Sequence, residues 1–362
     1  DDSIVGGDGT DTLAISLAIA YDDEAVPVAI DDAINISGFE ILRNTAAITQ
    51  DMAAFTGIVA AQSTAGVLTA TEAGIADYFA LASSTGLDMK LATDGTADNL
   101  NIHMGSAVAQ TNATGVTIDA IEVETALIAS TGANGNVITD FEADALTALT
   151  ITGSKTVSVT LNDSAAVATI PLVTVDASGF TGPSLSVTAV EADSGVTITT
   201  GSLALVATVG DGTNSVTATP GDDTITTGSG TDTIVTYDGE DTITAGDGAN
   251  TITVGNGNAT ITGGEGVDTV TAGTGNNTIT LGDGADVATA GKGANNITNA
   301  AGNATITAGD GNNTVTNTAG NSTITLGGGV NTVNLTAGNS TVITGKGADD
   351  INITAGNNNI TS

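Results

Sequence analysis

The chain of 362 residues has no cysteine and no tryptophan, and only five Phe and three Tyr. It carries five basic residues against 41 acidic ones, with a single histidine, for a net charge of -36. Each shortage excludes something. Without cysteine there is neither a disulfide nor a thiolate nucleophile, although the same absence suits secreted and cytosolic proteins alike. With so few cations nothing can neutralise a phosphate backbone, so nucleic acid is excluded as a partner. No apolar run reaches the roughly 18 residues of a membrane-spanning helix. His103, in NLNIHMG, cannot belong to an HExxH zinc helix, and no GxSxG elbow occurs. Arg43, the one arginine, has no acidic cluster beside it. Asp22-Asp23-Glu24 reads as a solvated acidic turn or an irregular calcium loop rather than a glycosidase pair. The chain is therefore read as no enzyme, with His103 an ordinary strand residue.

What remains is glycine, small β-formers and carboxylates. So large an acidic excess points to divalent cations. A hydrophobic content of 40% set in a strict period argues for an ordered solenoid rather than disorder. From Gly210 to Ser362 the chain divides into seventeen nonapeptides, such as GDGTNSVTA (210–218), GSGTDTIVT (228–236) and GEGVDTVTA (264–272). The third position is Gly in all seventeen, and the seventh is Ile or Val except at Ala288. Positions six to eight predict a short strand whose central side chain points inward and whose neighbours, mostly Thr, point outward. The Gly-rich half predicts a turn whose third residue needs positive φ. One turn and one strand make half a coil, so residue n stacks on n+18. Asn303, Asn321, Asn339 and Asn357 then form one column and Asn295, Asn313 and Asn331 another, with amides able to hydrogen-bond along the stack.

These units resemble the RTX calcium-binding nonapeptide G-G-x-G-x-D-x-U-x, here as G-x-G-x-(D/N)-x-U-x, the Gly before each unit being usually Ala, Thr or Leu. The resemblance implies a right-handed parallel β-roll that binds Ca2+ through Asp side chains of two stacked turns and through turn carbonyls. Carried over by position, those residues are Asp223, Asp232, Asp241, Asp268, Asp286 and Asp349, with Asp2 and Asp11 in the opening DDSIVGGDGTDTLAI. Ions are expected where two Asp stack: Asp223 with Asp241, and Asp268 with Asp286. Asn250, between Asp232 and Asp268, leaves half-strength sites, and any single Asp is also readable as a turn residue bonding its own backbone. After about residue 290 the roll is expected to exchange calcium for Asn ladders.

Residues 16–209 lose the period but keep strand alternation, as in LTALTITGSKTVSVTL (146–161). An irregular solenoid with coils of about twenty residues is expected there, echoed by Glu40, Glu122 and Glu142, with one helix over TEAGIADYFALASS (71–84) capped by Thr71. The organisation expected is thus 1–15 as the end of a repeat block, 16–209 as irregular solenoid and 210–362 as β-roll. SGFEIL, VDASGFTG and the Thr/Ala-rich strands running into GDDTITTGSGTDTIVT make the whole chain similar to RTX-type surface-layer proteins of Gram-negative bacteria. That resemblance implies type I secretion and an extracellular place in the surface layer. An exposed solenoid end presents an unpaired strand edge, so association with copies of itself is expected, with cell-surface polysaccharide as a further partner. Opening inside one repeat and stopping in another, the sequence reads as a fragment of a longer chain. The alternative is an adhesin or an ice- or glycan-binding module: nine of the seventeen units carry Thr at both positions six and eight, like the ice-binding face of β-solenoid antifreeze proteins, although Thr favours exposed strand positions in any case.

Overall fold

A computed structural model describes residues 204–362 continuously, most of residues 98–201, and, over residues 1–97, the backbone of the strands alone. Every described element is a β-strand and none is a helix. The strands pair in parallel and stack as a β-solenoid, in two compact units, Asp1–Glu191 and Ala192–Ser362.

In the second unit the register is the sequence period itself. Thr224, Thr242, Thr260 and Thr278 stand opposite one another in turn along one sheet, and Thr233, Thr251 and Thr269 along the other. Position seven fills the interior: Ile225, Ile243, Ile261 and Ile279 are all buried. Each such side chain removed from water contributes about 1.5–3 kcal/mol, and the flanking Thr face outward because successive side chains of a strand alternate. The third-position glycine is required twice over. Its φ is positive in fourteen of the seventeen turns, for example 127° at Gly248 and 125° at Gly266, a region that L side chains avoid. A Cβ at Gly248 would also land on the carbonyl oxygen of Gly230, and one at Gly266 on that of Gly248.

The first unit has the same plan with longer, unequal coils. Ile128, Ile151 and Val175 line its interior from one sheet, and Ile138, Val159 and Val187 from the other, with Phe141 and Phe180 fully buried. Thr125 stands opposite Ala148, and Ala148 opposite Thr174, steps of 23 and 26 residues; Val157 opposite Leu185 is a step of 28. Phe141 opposite Leu161 is a step of 20 and Asn136 opposite Val157 one of 21, so the coils run from about twenty residues upward, irregular because their turns, free of a repeat, vary in length. Glu142 stands opposite Asp119 rather than Glu122, and Glu40 lies outside the described residues.

The helix expected over 71–84 is absent. Gly66–Ala73 pairs with Ser84–Leu91, and Asp77–Ala80 lies between Ala60–Ser63 and Asn101–Met104. Pairing on both sides of a four-residue stretch satisfies its backbone more fully than one isolated helical turn would. His103 lies half-exposed in the strand Asn99–Met104, opposite Ala129. No helix of the described residues is long and apolar enough to cross a membrane.

Candidate metal centre

The fifth residue of each nonapeptide ends the turn, and its side chain folds back into the solenoid. In one column these residues include Asp223, Asp241, Ala259, Asn277, Asn295 and Asn313. In the other they include Asn214, Asp232, Asn250, Asp268, Asp286 and Ala304. All of them are buried, the aspartates at 0–2% exposure.

A single contact recurs down both columns. The backbone N–H of one residue donates to Oδ1 of the residue one coil later: Leu205 to Asp223 at 2.8 Å, Asp223 to Asp241 at 3.1 Å, Asn250 to Asp268 at 3.0 Å, and Asp268 to Asp286 at 2.9 Å. Asn side chains accept in the same way, as Asn313 Oδ1 does from Asn295 N at 3.2 Å. This shared role for Oδ1 sets the other side-chain atom in a common place, and there Asp and Asn differ. In an Asn turn Nδ2 donates to the carbonyls of positions one and three of its own turn and to the amide oxygen of the next coil. For Asn313 these partners are Gly309 O at 2.9 Å, Gly311 O at 3.1 Å and Asn331 Oδ1 at 3.1 Å. Asn277, Asn295 and Asn331 repeat the pattern, which ends on Asp349 Oδ1 at 2.9 Å.

In an Asp turn the same place holds an oxygen with nothing to donate. Asp223 Oδ2, Asp232 Oδ2, Asp268 Oδ2 and Asp286 Oδ2 are all buried without a hydrogen-bond partner. Leaving such atoms unmet costs about 1–3 kcal/mol apiece and more when they are charged. Asp241 escapes, since Thr236 Oγ1 donates to its Oδ2 at 2.6 Å. Burial holds the carboxyls above their ordinary range: Asp223 is pushed up to about 7, mainly by desolvation, with the charges of Asp241 and Asp222 adding to it. Desolvation likewise pushes Asp268 up to about 6, opposed by the N–H of Asn250 and assisted by Asp286. Asp241 and Asp286 are also raised, again by burial first.

Carboxylates on the outside of the turns behave differently. Asp211, exposed, accepts from Ser229 N at 2.6 Å, and that bond lowers its pKa. Asp310 accepts from Gly328 N at 3.0 Å and pairs with Lys292 at 3.1 Å, an exposed ion pair of small energetic weight. The outer column of Asn is also a ladder: Asn321 N donates to Asn303 Oδ1 at 2.8 Å and Asn339 N to Asn321 Oδ1 at 2.7 Å.

The inner aspartates fit a hard cation. Ca2+ takes six to eight oxygens at about 2.3–2.6 Å, mixing carboxylates with backbone carbonyls. An orphaned carboxylate oxygen in the place from which Asn amides reach two turn carbonyls is the start of such a set. Among the described residues no three His, Cys, Asp or Glu gather into one cluster, so a cation here would draw most of its ligands from the backbone. The stacking brings Asp223 to Asp241 and Asp268 to Asp286, and sets Asp232 against Asn250. Asp2 and Asp11 lie outside the described residues. Position nine carries polar groups into the same turns, as Thr236 does, and the nonapeptide motif leaves that position open. The signal was nevertheless in the sequence: Asn299 and Asn317, both at position nine, come just before the turns whose fifth residue has become Ala304 and Ser322.

Comparison with known proteins bears on this geometry. The family model of the RTX calcium-binding nonapeptide repeat (4 copies) matches residues 1–14, 208–243, 226–261, 262–297, 300–324 and 325–360. No curated protein matches the chain, and no solved structure does. The matched segments take in Asp2 and Asp11 as well as all the buried aspartates described above, and over these segments the chain carries RTX calcium-binding nonapeptide repeats.

Proposed function

We propose that the chain is a secreted, calcium-stiffened structural solenoid, part of the surface layer or of a surface filament of a Gram-negative bacterium, where it associates with copies of itself. One observation carries the calcium reading: four buried carboxylate oxygens without a donor, in turns where asparagine would supply one. Asp223 with Asp241 and Asp268 with Asp286 hold the principal ions, and Asp232 with Asn250 a weaker one. Bound Ca2+ supplies the positive charge that buried carboxylates otherwise lack. The chain's own part is to line the turn with carbonyls, to fix Oδ1 with a backbone N–H and to keep water out.

Coupling of metal to folding follows. A ligand that binds only the folded state stabilises it by about 2.7 kcal/mol per site at a hundred times Kd. Extracellular calcium modules work with Kd of about 10⁻⁴–10⁻³ M, so cytosolic calcium leaves the turns loose and external calcium closes them. Such a chain crosses an envelope unfolded and sets afterwards. The repeat solenoid and its dearth of chemistry-bearing side chains support a structural rather than catalytic role.

Self-association is tested by light scattering and negative-stain electron microscopy of the full chain in millimolar calcium and in chelator. Sheets or filaments that form with calcium and disperse with chelator are the result expected. Monomers under both conditions would leave the surface-layer reading without support.

A second reading has one observation in its favour. Thr251 and Thr253 stand opposite Thr269 and Thr271, and all four are exposed. This flat patch of hydroxyls suits ice or a glycan, and an absence of thermal hysteresis at high protein concentration removes the ice version.

A further inference from the structure

We propose one more cation site, at the end of the second aspartate column, between the turn that ends at Asp286 and the turn that ends at Ala304, with Asn299 as a ligand outside the repeat motif. It rests on the calcium reading of the inner aspartates.

By position the site should not exist, because Ala304, which stacks on Asp286, offers no side-chain oxygen. The structure supplies one from elsewhere. Asn299 is fully buried, stands opposite Leu281, and reaches into the 300–304 turn, where its Nδ2 meets Gly302 O at 3.4 Å. That Nδ2 also donates to Asn317 Oδ1 at 2.7 Å, one coil further on, with Ala319 O at 3.4 Å. Three acceptors around one end of the amide decide which end is nitrogen. Asn299 Oδ1, the other end of the amide, is buried without a partner.

Asp286 presents the complementary half. Its Oδ1 is held by Asp268 N at 2.9 Å, from the preceding coil. Its orphaned Oδ2 therefore occupies the place from which the Asn turns send Nδ2 toward the following coil. In the neighbouring column that link is an N–H···O bond of 3.0 Å between Asn295 Nδ2 and Asn313 Oδ1. Here, in the proposed site, two orphaned oxygens, Asp286 Oδ2 and Asn299 Oδ1, take the place of that donor and acceptor. A cation resolves both at once, with the carbonyls of Gly282 and Gly284, the counterparts of those that accept from the Asn amides, as further ligands. One carboxylate and one amide oxygen make this a weaker site than a pair of carboxylates.

Calcium titration of the full chain by calorimetry, with amide hydrogen exchange over residues 300–305, tests this in the wild type, Asn299→Leu and Asn299→Asp. Asn299→Leu should bind one equivalent fewer and lose calcium-induced protection at 300–305, keeping it at 269–272. Asn299→Asp, which adds a charge in the same shape, should keep the equivalent and tighten it roughly 10-fold. Equal stoichiometry in the wild type and Asn299→Leu overturns the proposal. So does calcium-independent protection of 300–305 in the wild type, the mark of an amide turned over to donate to Asp286. If Asn299→Leu does not fold, an unchanged affinity in Asn299→Asp overturns it equally. A wild type that takes up no calcium at all removes the reading on which this one stands, whereas uptake that ignores residue 299 removes this one alone.

Discussion

The backbone N–H of Asp268 donates to Oδ1 of Asp286 at 2.9 Å, while the second oxygen of Asp268, sealed from solvent by the same stacking, meets no donor. The coil thus aligns its carboxylates well and leaves them electrostatically incomplete. Asn277, Asn295 and Asn313 show the completed form, with an amide N–H in that place.

Asp268→Asn should therefore change sign with calcium. In chelator the new Nδ2 finds the turn carbonyls, and the variant gains about 1–3 kcal/mol over the wild type. In millimolar calcium it loses a charged ligand and becomes the less stable of the two. Urea denaturation under both conditions reads the crossing; a variant less stable in both would count against equivalence of amide and metal.

Chelation should also divide the array. Hydrogen exchange after calcium removal is expected to accelerate strongly over residues 210–290, where the orphaned carboxylates lie, and far less over 306–362, where Asn and Ser side chains supply the donors. Equal acceleration in both stretches would contradict it.

The pH dependence of the calcium-free protein follows from the raised carboxyls. Burial first, and then the neighbouring charges, pushes Asp223 up to about 7 and Asp268 up to about 6, against an ordinary 3.8. Between these limits the folded chain binds more protons than the unfolded one, so its stability falls as pH rises. In chelator, denaturation midpoints should decline from about pH 4 to pH 7. Calcium should flatten or reverse the trend, because the cation displaces those protons.

Asn313→Ala removes the donor to Gly309 O and Gly311 O and breaks the amide chain between Asn295 and Asn331. A loss of about 3 kcal/mol is expected, since several buried groups go unmet, and it should be the same with and without calcium. A calcium-dependent loss would place a metal in a part of the roll that the amides already fill.

The repeat was readable because strand, turn and register there are local and identical from unit to unit: Ile243 points inward for the same reason as Ile261, and Thr242 stacks on Thr260 by count alone. The buried place of Asp223 and Asp241 was likewise a matter of position. What escaped depended on contacts between non-equivalent positions. Thr236 reaches Asp241 across a turn, and Asn299 takes over a role that Ala304 has lost; neither follows from a motif that treats position nine as open. In the first unit, Asp119 opposite Glu142 fixes a coil length that no periodicity announces. Asp77–Ala80 is a strand because Ala60–Ser63 and Asn101–Met104 flank it, a tertiary fact that outweighs its helical look.

The most direct measurement is an experimental density map of the full chain prepared with calcium and again with chelator. With calcium, spherical density is predicted against Oδ2 of Asp223 and of Asp268, at calcium–oxygen distances of about 2.3–2.6 Å, and it should vanish on chelation. Identical maps, with those oxygens bonded to water or protonated in both, would contradict a calcium-stiffened roll.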